Sequence, residues 1–354
     1  EEIPKAPEVS MDKSYPLARM PFDDIRECAF RVLYYRNRIA VEFFHAVTDG
    51  NGGLVFLKTL VAEYLTQKYR AEIPCTDGVL SRTEEPSDEE MEDSFLKHCG
   101  DVSAGRREPN AYRISGTPER DGFLDVVTMM LDERAVKEKA ASYGVKVTAF
   151  LTAVMMKAIL DLQKEQVPHR RRRKPVRVLV PVNLRPLFGS RTLRNFVLYI
   201  TPGIDPKMGD YTMEELCSAA HYQLGAELTV KQMQAKFTAN VSSERAWLLR
   251  LMPLAVKNLA MKAVYNMIGE KKSCLCLSNL GAVRLPEEMQ RYVTRMDFMP
   301  GVQAQLPNNC GVLSYGGTVY LNFIRNIREP ALESHFFEVL KQLGIPVKVE
   351  SNQR

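Results

Sequence analysis

The stretch from residue 39 to residue 65 reads IAVEFFHAVTDGNGGLVFLKTLVAEYL, and its periodicity changes halfway along. Every second residue from Ile39 to Phe43 is apolar and the series ends on His45, as on one face of a β-strand. From Leu54 onward the apolar residues recur at helical spacing. The stretch therefore predicts a strand, a tight turn and a helix in succession, with His45 at the end of the strand.

The predicted turn has an unusual composition. Asp49 and Gly50 follow His45 by four and five residues, and two more glycines stand at 52 and 53. Glycine adopts positive φ readily and lets another chain segment or a ligand come close. The motif H-A-V-T-D-G thus places an imidazole and a carboxylate on one short, permissive loop.

Proton abstraction is the chemistry that suits this motif. An unperturbed imidazole titrates near pH 6.5, so at neutral pH it is mostly free to accept a proton. His45 is the candidate general base. Asp49 either orients the ring directly or turns away and binds a cation that braces the loop, and we expect bracing. The structural alternative is a strand-end histidine followed by an ordinary turn.

The motif resembles the HHxxxDG signature of the chloramphenicol acetyltransferase-like superfamily, which includes BAHD acyltransferases and peptide-synthetase condensation domains. Three further stretches agree with that resemblance in the expected order: residues 125–162, PVNLRP at 181–186 with RNFV at 194–197, and LSNLG at 277–281. The chain is most similar to the bacterial alcohol acetyltransferase-like branch. One position departs from the signature, because Phe44 replaces the first histidine. Strand alternation places Phe44 on the face opposite His45, so the candidate base is kept.

The resemblance implies an α/β fold of two half-domains, with mixed sheets flanked by helices and an active-site tunnel at their interface. We expect an N-terminal half-domain over 1–166, a basic linker over 167–175 and a C-terminal half-domain over 176–354. The family carries a longer segment ahead of the motif than the 44 residues found here. The N-terminal half-domain is therefore expected to be incomplete.

The implied activity is acyl transfer from the thioester of an acyl-CoA, an acetyl group being the first choice, to an alcohol acceptor. His45 and Asp49 are the implied catalytic residues, with acyl-CoA as cosubstrate, no bound cofactor and no metal. One alternative is a condensation-type enzyme that joins an amine or alcohol to a carrier-bound acyl group. Another is a non-catalytic binding protein that retains the fold, for which Phe44 is the best support.

The resemblance also assigns the residues that support the site. Gly50 and Arg185 are implied to support it structurally, with Arg185 as the ion-pair partner of Asp49. Pro186 should keep Arg185 out of helical geometry, so the loop after the strand would be fixed. The alternative is that Arg185 only ends a strand at the surface.

Three further residues are implied to bind the substrate or the developing oxyanion. Asn183 lies in the loop that the resemblance places along the tunnel. Ser278 and Asn279, in LSNLG, would donate hydrogen bonds to the oxyanion. A plain strand-ending turn is the alternative for LSNLG.

Two charged segments stand out. The run VPHRRRRKP at 167–175 is flanked by prolines and is typical of a linker. A sharper hypothesis is that Arg170–Lys174 hold the phosphates of coenzyme A, since guanidinium groups suit phosphate geometry. The acidic segment at 81–93 is interrupted by proline and is expected to be a solvated surface loop that runs into a helix, with disorder.

Several helices are predicted from capping residues. Thr148 should cap a buried helix over Ala149–Lys164, and Thr212 with Glu215 forms a capping box for a helix to about Val241. A basic, Met-rich helix is expected over 247–268, either buried or in peripheral contact with a membrane.

Composition limits the remaining classes of function. The 354 residues are 45% hydrophobic with a net charge of +5, so a large core is available and no nucleic-acid partner is expected. Seven cysteines without a regular framework suggest a reducing cytoplasm. No signal peptide or run of about 18 apolar residues is found, so no membrane span is expected. No obligate protein partner is predicted.

Overall fold

The computed structural model describes residues 6–12, 17–104, 108–245, 253–254, 256–259, 262, 270–303 and 306–352. The strands are β1 (Ser10–Met11), β2 (Phe30–Tyr35), β3 (Arg38–Phe43), β4 (Asp125–Asp132), β5 (Val176–Asn183), β6 (Val197–Ile200), β7 (Gly203–Ile204), β8 (Leu275–Ala282), β9 (Asn308–Tyr315), β10 (Thr318–Arg325) and β11 (Val347–Ser351). The helices are α1 (Phe22–Glu27), α2 (Gly50–Tyr69), α3 (Asp88–Met91), α4 (Ser94–Lys97), α5 (Glu133–Ser142), α6 (Val147–Gln166), α7 (Arg185–Phe188), α8 (Met213–Glu227), α9 (Val230–Arg245), α10 (Glu287–Gln290) and α11 (Ala331–Gln342).

The described strands form two sheets. The small sheet has the order β1-β2-β3, in which β2 and β3 make an antiparallel hairpin. The large sheet has the order β11-β4-β10-β9-β8-β5-β6, and β7 pairs with the start of β5. Its β5–β8 and β8–β9 pairs are parallel and its other pairs are antiparallel. The sheets are thus mixed and flanked by helices, as the sequence predicted.

The two faces of the large sheet are covered differently. On one face lies α6, whose apolar residues from Phe150 to Ile159 are fully buried in the main core. On the other face lies α2, where Ala62 and Leu65 pack with Leu313 of β9. The helix that follows the H-A-V-T-D-G motif is therefore seated on the large sheet, while the strand before the motif belongs to the small sheet.

The boundary between the two units differs from the expected one. Both β4 and α6 lie within 125–166, yet β4 pairs with β10 and β11, and α6 packs on the same large sheet. The basic run at 167–175 therefore joins two elements of one unit and does not separate half-domains. These pairings link segments far apart in the chain, which local sequence patterns do not report.

Two helix predictions need correction. The buried helix starts at Val147 after Lys146, so Thr148 lies inside its first turn and does not cap it. The Thr212–Glu215 capping box is confirmed, but the helix ends at Glu227 and a second one follows.

Most of the predicted helix over 247–268 lies outside the described residues. The membrane contact suggested for this helix therefore concerns residues that the structure does not describe. Within the described ranges, no helix combines the length and apolar character that a membrane span needs.

A charged cluster is buried beside β10. Arg325 is completely inaccessible to solvent, and its Nη1 lies 3.1 Å from Glu333 Oε1. Its Nη2 lies 3.4 Å from Asp125 Oδ2. Burial raises the pKa of both carboxyl groups, and the guanidinium of Arg325 opposes that rise. One guanidinium thus faces two carboxyl groups in the core.

Glu333→Gln is expected to flatten the pH dependence of stability. A raised native pKa means that the native state binds more protons than the unfolded state between the unfolded pKa, about 4.3, and the native pKa, so the free energy of unfolding falls as pH rises through that window. Removing one such group should reduce this slope by at most about 1.4 kcal/mol per pH unit. Urea unfolding between about pH 5 and about pH 8 measures it. An unchanged slope would show that Glu333 does not titrate differently on folding.

Candidate active site

The small sheet delivers the motif through the β2–β3 hairpin. Strand β3 ends at Phe43, so His45 lies two residues beyond the strand, in a turn. The Phe43 ring anchors the strand end, because it packs edge-on against Phe56 of α2 with 5.4 Å between ring centroids. Phe44, at the position of the missing first histidine, is 45% exposed.

Asp49 braces the loop with both carboxylate oxygens. Its Oδ1 accepts hydrogen bonds from the backbone N–H groups of Asn51 (3.0 Å) and Gly52 (3.1 Å), which caps α2. Its Oδ2 accepts from the backbone N–H of Phe196 (2.8 Å) and lies 2.9 Å from Nη1 of Arg185. The carboxylate is buried and these four partners do not include His45. The geometry matches the expected bracing role, with the Arg185 guanidinium as the cation.

Arg185 ties its own loop together as it meets Asp49. Its Nε donates to the carbonyl of Thr192 (2.6 Å), its Nη2 to that of Arg194 (2.7 Å), and its Nη1 to Oδ1 of Asn183 (3.1 Å). Asn183 thus positions Arg185 through Oδ1, and the substrate contact expected for it stays a prediction. The expectation about Pro186 was wrong, because Arg185 begins the short helix α7. Proline fits there since amides of the first helical turn have no helical acceptor.

The motif also contacts this loop through Thr48. The Thr48 hydroxyl donates to the carbonyl of Leu193 at 2.7 Å. The acidic segment joins from the other side, where Leu193 N–H donates to the carbonyl of Glu90. Ser87 and Glu90 form a capping box for α3, so this part of the segment is structured, contrary to the expected disorder.

The glycines of the motif are needed for space. Positive φ was expected for the glycines of this turn. Gly50 and Gly52 instead lie in the first turn of α2, and neither has a positive φ. A Cβ built on Gly50 would lie 2.8 Å from Leu280 of β8, and one on Gly52 would clash with the Leu193 carbonyl oxygen. The motif therefore lies at close range against strand β8 and against the loop that follows α7.

Gly52→Ala should destabilise the protein by about 1–3 kcal/mol, because the new methyl group meets backbone that cannot easily move. Gly225→Ala is the matched control: it lies inside α8, and a Cβ there meets nothing within 4 Å. This control should raise stability by about 0.5–1 kcal/mol. Urea unfolding of both variants tests the contrast, and equal effects would contradict it.

The His45 ring is held by a residue for which the sequence predicted no role. Asn195 Nδ2 lies 3.3 Å from His45 Nδ1 and 3.2 Å from the His45 backbone oxygen. Asn195 belongs to the quoted RNFV stretch, but no local pattern indicates a contact across 150 residues. The ring is exposed, whereas a tunnel was expected to enclose it.

The LSNLG stretch lies within β8, which continues to Ala282 through a bulge, so the strand-ending turn, the alternative for this stretch, is absent. Asn279 Nδ2 donates to the Thr148 hydroxyl of α6 at 3.1 Å, and its Oδ1 accepts from Gly281 N–H at 2.8 Å. Both of its polar groups are therefore used internally. The Asn279 side chain lies on the α6 face of the sheet.

Ser278 lies on the other face. It pairs with Gly311, and a Cβ on Gly311 would clash with the Phe298 backbone oxygen. The Phe298 ring also lies 3.3 Å from a Cβ built on Gly50. Paired residues direct their side chains to the same face, so Ser278 points to the side where α2 begins.

The basic run lies away from the motif. The run ends just before β5, and Asn183 is the last residue of that strand. At about 3.3 Å per residue, the start of β5 lies about 23 Å from Asn183, which is next to the Arg185 that pairs with Asp49 of the motif. Arg170 donates to the carbonyl of Lys207, and Arg173 donates to those of residues 167 and 168. These internal contacts do not favour the hypothesis that the run holds coenzyme A phosphates.

Cys274 and Cys276 are not activated nucleophiles. Burial raises the pKa of the Cys274 and Cys276 thiols to about 12 each, so both are neutral near pH 7. Across the described ranges, no three side chains of His, Cys, Asp and Glu converge as metal ligands.

Comparison with known proteins identifies the fold. No protein-family model matches the sequence, and no curated protein matches it. F. sporotrichioides TRI101, solved with coenzyme A and T-2, aligns with 98% of this chain and 81% of its own at a TM-score of 0.59 and 10% identity. F. graminearum TRI101, solved with coenzyme A and T-2 mycotoxin, aligns with 96% and 82% at 0.58 and 11% identity.

A third structure comes from a larger enzyme. The nonribosomal peptide synthetase FmoA3, in its AMPPNP-bound form, aligns with 97% of this chain at a TM-score of 0.56 and 14% identity. The chain spans 36% of FmoA3. These matches confirm the two-lobed, chloramphenicol acetyltransferase-like α/β fold expected from the sequence. The likeness to the bacterial alcohol acetyltransferase-like branch stays a prediction.

Proposed function

We propose that this protein is an acyltransferase that moves an acyl group from a CoA thioester to an alcohol, with His45 as the general base. The observation that carries the proposal is the exposed imidazole on a loop whose carboxylate is locked to Arg185. A fixed loop holds a base where a substrate can reach it, which is the main requirement of general base catalysis.

The reaction follows from the acid–base chemistry of imidazole. His45 takes the proton of the acceptor hydroxyl as its oxygen attacks the thioester carbonyl carbon. The tetrahedral intermediate then collapses, the C–S bond breaks, and the imidazolium returns the proton to the CoA sulfur. Neither a covalent acyl-enzyme nor an additional reactant is needed to balance this sequence.

Ser278 is the residue we propose as hydrogen-bond donor to the oxyanion of that intermediate. It lies on the face of β8 that meets the start of α2, and it is partly exposed. A single well-placed donor of this kind contributes about 2.7 to 4 kcal/mol to transition-state stabilisation. Asn279 and Asn183 are less suitable, because their side chains hold Thr148 and Arg185 instead.

The choice of acyl-CoA as donor rests on the fold shared with the coenzyme A complexes of TRI101. An acetyl group and a small alcohol acceptor are our first choices, and a small amine is the other acceptor considered. The likeness to FmoA3 supports a second candidate, a condensation-type enzyme that takes its acyl group from a carrier protein.

The test is release of free thiol from acetyl-, medium- and long-chain acyl-CoA, assayed against a panel of alcohols and amines. Alcohol-dependent thiol release supports the proposal. Release only from an acyl group on a carrier protein would favour the condensation reaction. Acceptor-independent binding of acyl-CoA without thiol release would favour a binding protein that retains the fold.

A further inference from the structure

The contact between Asn195 and His45 indicates which nitrogen of the imidazole carries the proton. Asn195 Nδ2 lies within hydrogen-bond distance of two atoms of the same residue, the His45 carbonyl oxygen (3.2 Å) and ring Nδ1 (3.3 Å). A carbonyl oxygen can only accept, so the amide atom facing it must be the nitrogen. The orientation of the Asn195 amide is therefore set by the backbone, independently of the ring.

The state of the ring follows from this orientation. The amide nitrogen carries two hydrogens, one for the carbonyl and one for Nδ1. Nδ1 must then supply a lone pair, and a neutral imidazole with an acceptor at Nδ1 carries its single proton on Nε2. Among the described residues, Asn195 is the one hydrogen-bond partner of the ring, so no other group counters this preference.

Asn195 is firmly placed to impose this preference. The residues on both sides of it are tied down, since Arg194 accepts from Arg185 and Phe196 N–H donates to Asp49. The loop that presents the amide is thus the same loop that the buried ion pair fixes. A donor with so little freedom acts on the ring in the resting protein without further ordering.

We propose that Asn195 is a positioning residue that holds His45 in the Nε2–H tautomer, with Nδ1 occupied, until substrate binding releases it. This inference rests on the proposed function, because it concerns the base of that reaction. In the resting state the nitrogen facing away from Asn195 carries a proton and cannot accept one. The protein therefore restrains its own base, and release of the Asn195 contact precedes proton abstraction.

A known amide–carboxylate exchange indicates the size of the effect. In serine proteases, replacing the carboxylate behind the catalytic histidine by an amide holds the wrong tautomer and lowers the rate about 10,000-fold. Here the amide is the native group. Asn195→Asp supplies only acceptors, which favours the proton on Nδ1 and frees Nε2.

The first test reads the tautomer directly in protein labelled with ¹⁵N-histidine. Long-range ¹H–¹⁵N spectra near pH 8 should show His45 with a protonated Nε2 and an unprotonated Nδ1, and His45→Gln assigns the signals. Asn195→Asp should exchange the two patterns, and Asn195→Leu should give a mixture. A wild-type ring protonated on Nδ1, or an unchanged pattern in Asn195→Leu, overturns the proposal. A wild-type ring protonated on Nδ1 overturns the proposal even if a variant fails to fold, whereas support requires the contrast with Asn195→Leu, because a free imidazole already favours the proton on Nε2.

The second test is kinetic. With an acyl-CoA that the protein cleaves, Asn195→Asp should raise kcat at least about 10-fold at high pH with little change in KM, and move the acid limb of the pH profile upward. A lower kcat with the wild-type pH profile overturns the restraint. If the wild-type protein cleaves no thioester, the proposed function fails, while the spectra still decide the tautomer.

Discussion

Replacing His45 by alanine is expected to lower the rate of acceptor-dependent thiol release about 100- to 10,000-fold, the usual contribution of a positioned general base. The free energy of unfolding should change by less than about 0.5 kcal/mol, because the side chain is exposed and lies in a turn after β3. The variant therefore separates chemistry from folding. The measurements are kcat and KM for the acyl-CoA, with urea unfolding of the same preparation.

The matched control is His221→Ala, since His221 is an exposed histidine on α8. It should leave the rate unchanged within about twofold, as surface substitutions away from special features usually do. A His45→Ala variant that cleaves thioester at the wild-type rate would remove the general base from the mechanism. The fold would stand without it.

Asp49→Ala is expected to lower the free energy of unfolding by about 3–5 kcal/mol. The change removes a carboxylate that accepts three backbone hydrogen bonds and pairs with Arg185, and it leaves that guanidinium partly buried without its partner. The rate should fall with it, because the loop that carries His45 loses its attachment to the large sheet. Urea unfolding and thiol release on the same samples measure both effects.

A double-mutant cycle sharpens this prediction. Arg185→Ala should be nearly as damaging as Asp49→Ala, and the double variant should cost clearly less than the sum, because neither charge is then left alone. Glu138→Ala serves as control, since it removes an exposed ion pair to Arg134 and should cost at most about 0.5 kcal/mol. Normal stability in Asp49→Ala with a reduced rate would mean that Asp49 acts on His45 directly.

Local patterns predicted the elements where a residue and its neighbours decide the structure. Gly316 and Gly317 stand between two apolar runs and predict a hairpin, which is present, and both glycines have the positive φ that a tight hairpin turn requires. Helix α6 is buried on every face from Ala149 to Met156, as its apolar residues indicated. The capping box at Thr212 also depends on local sequence alone, because its two partners, Thr212 and Glu215, stand three residues apart.

Predictions failed where a distant segment decides the outcome. The glycines of the motif were expected to adopt positive φ and to admit a neighbouring segment, and only the second expectation holds. The structure adds which segments come close to Gly50 and Gly52, namely β8 and the loop after β5. Asn279 was assigned to the oxyanion, but the side of the strand on which it lies is set by pairing with β9. Neither fact can be read from spacing within a motif.

The sequence by itself determined most of the order of elements and the loop that carries His45 and Asp49, because short-range periodicity and turn chemistry specify them. The fold class was expected from the resemblance of its motifs to a known family. Only the tertiary structure decided the remaining contacts of that loop. The pair of Arg185 with Asp49 was expected from the resemblance, whereas the contact of Asn195 with His45, across 150 residues, was not. Such contacts depend on how strands pair into sheets, and strand pairing is a property of the whole chain.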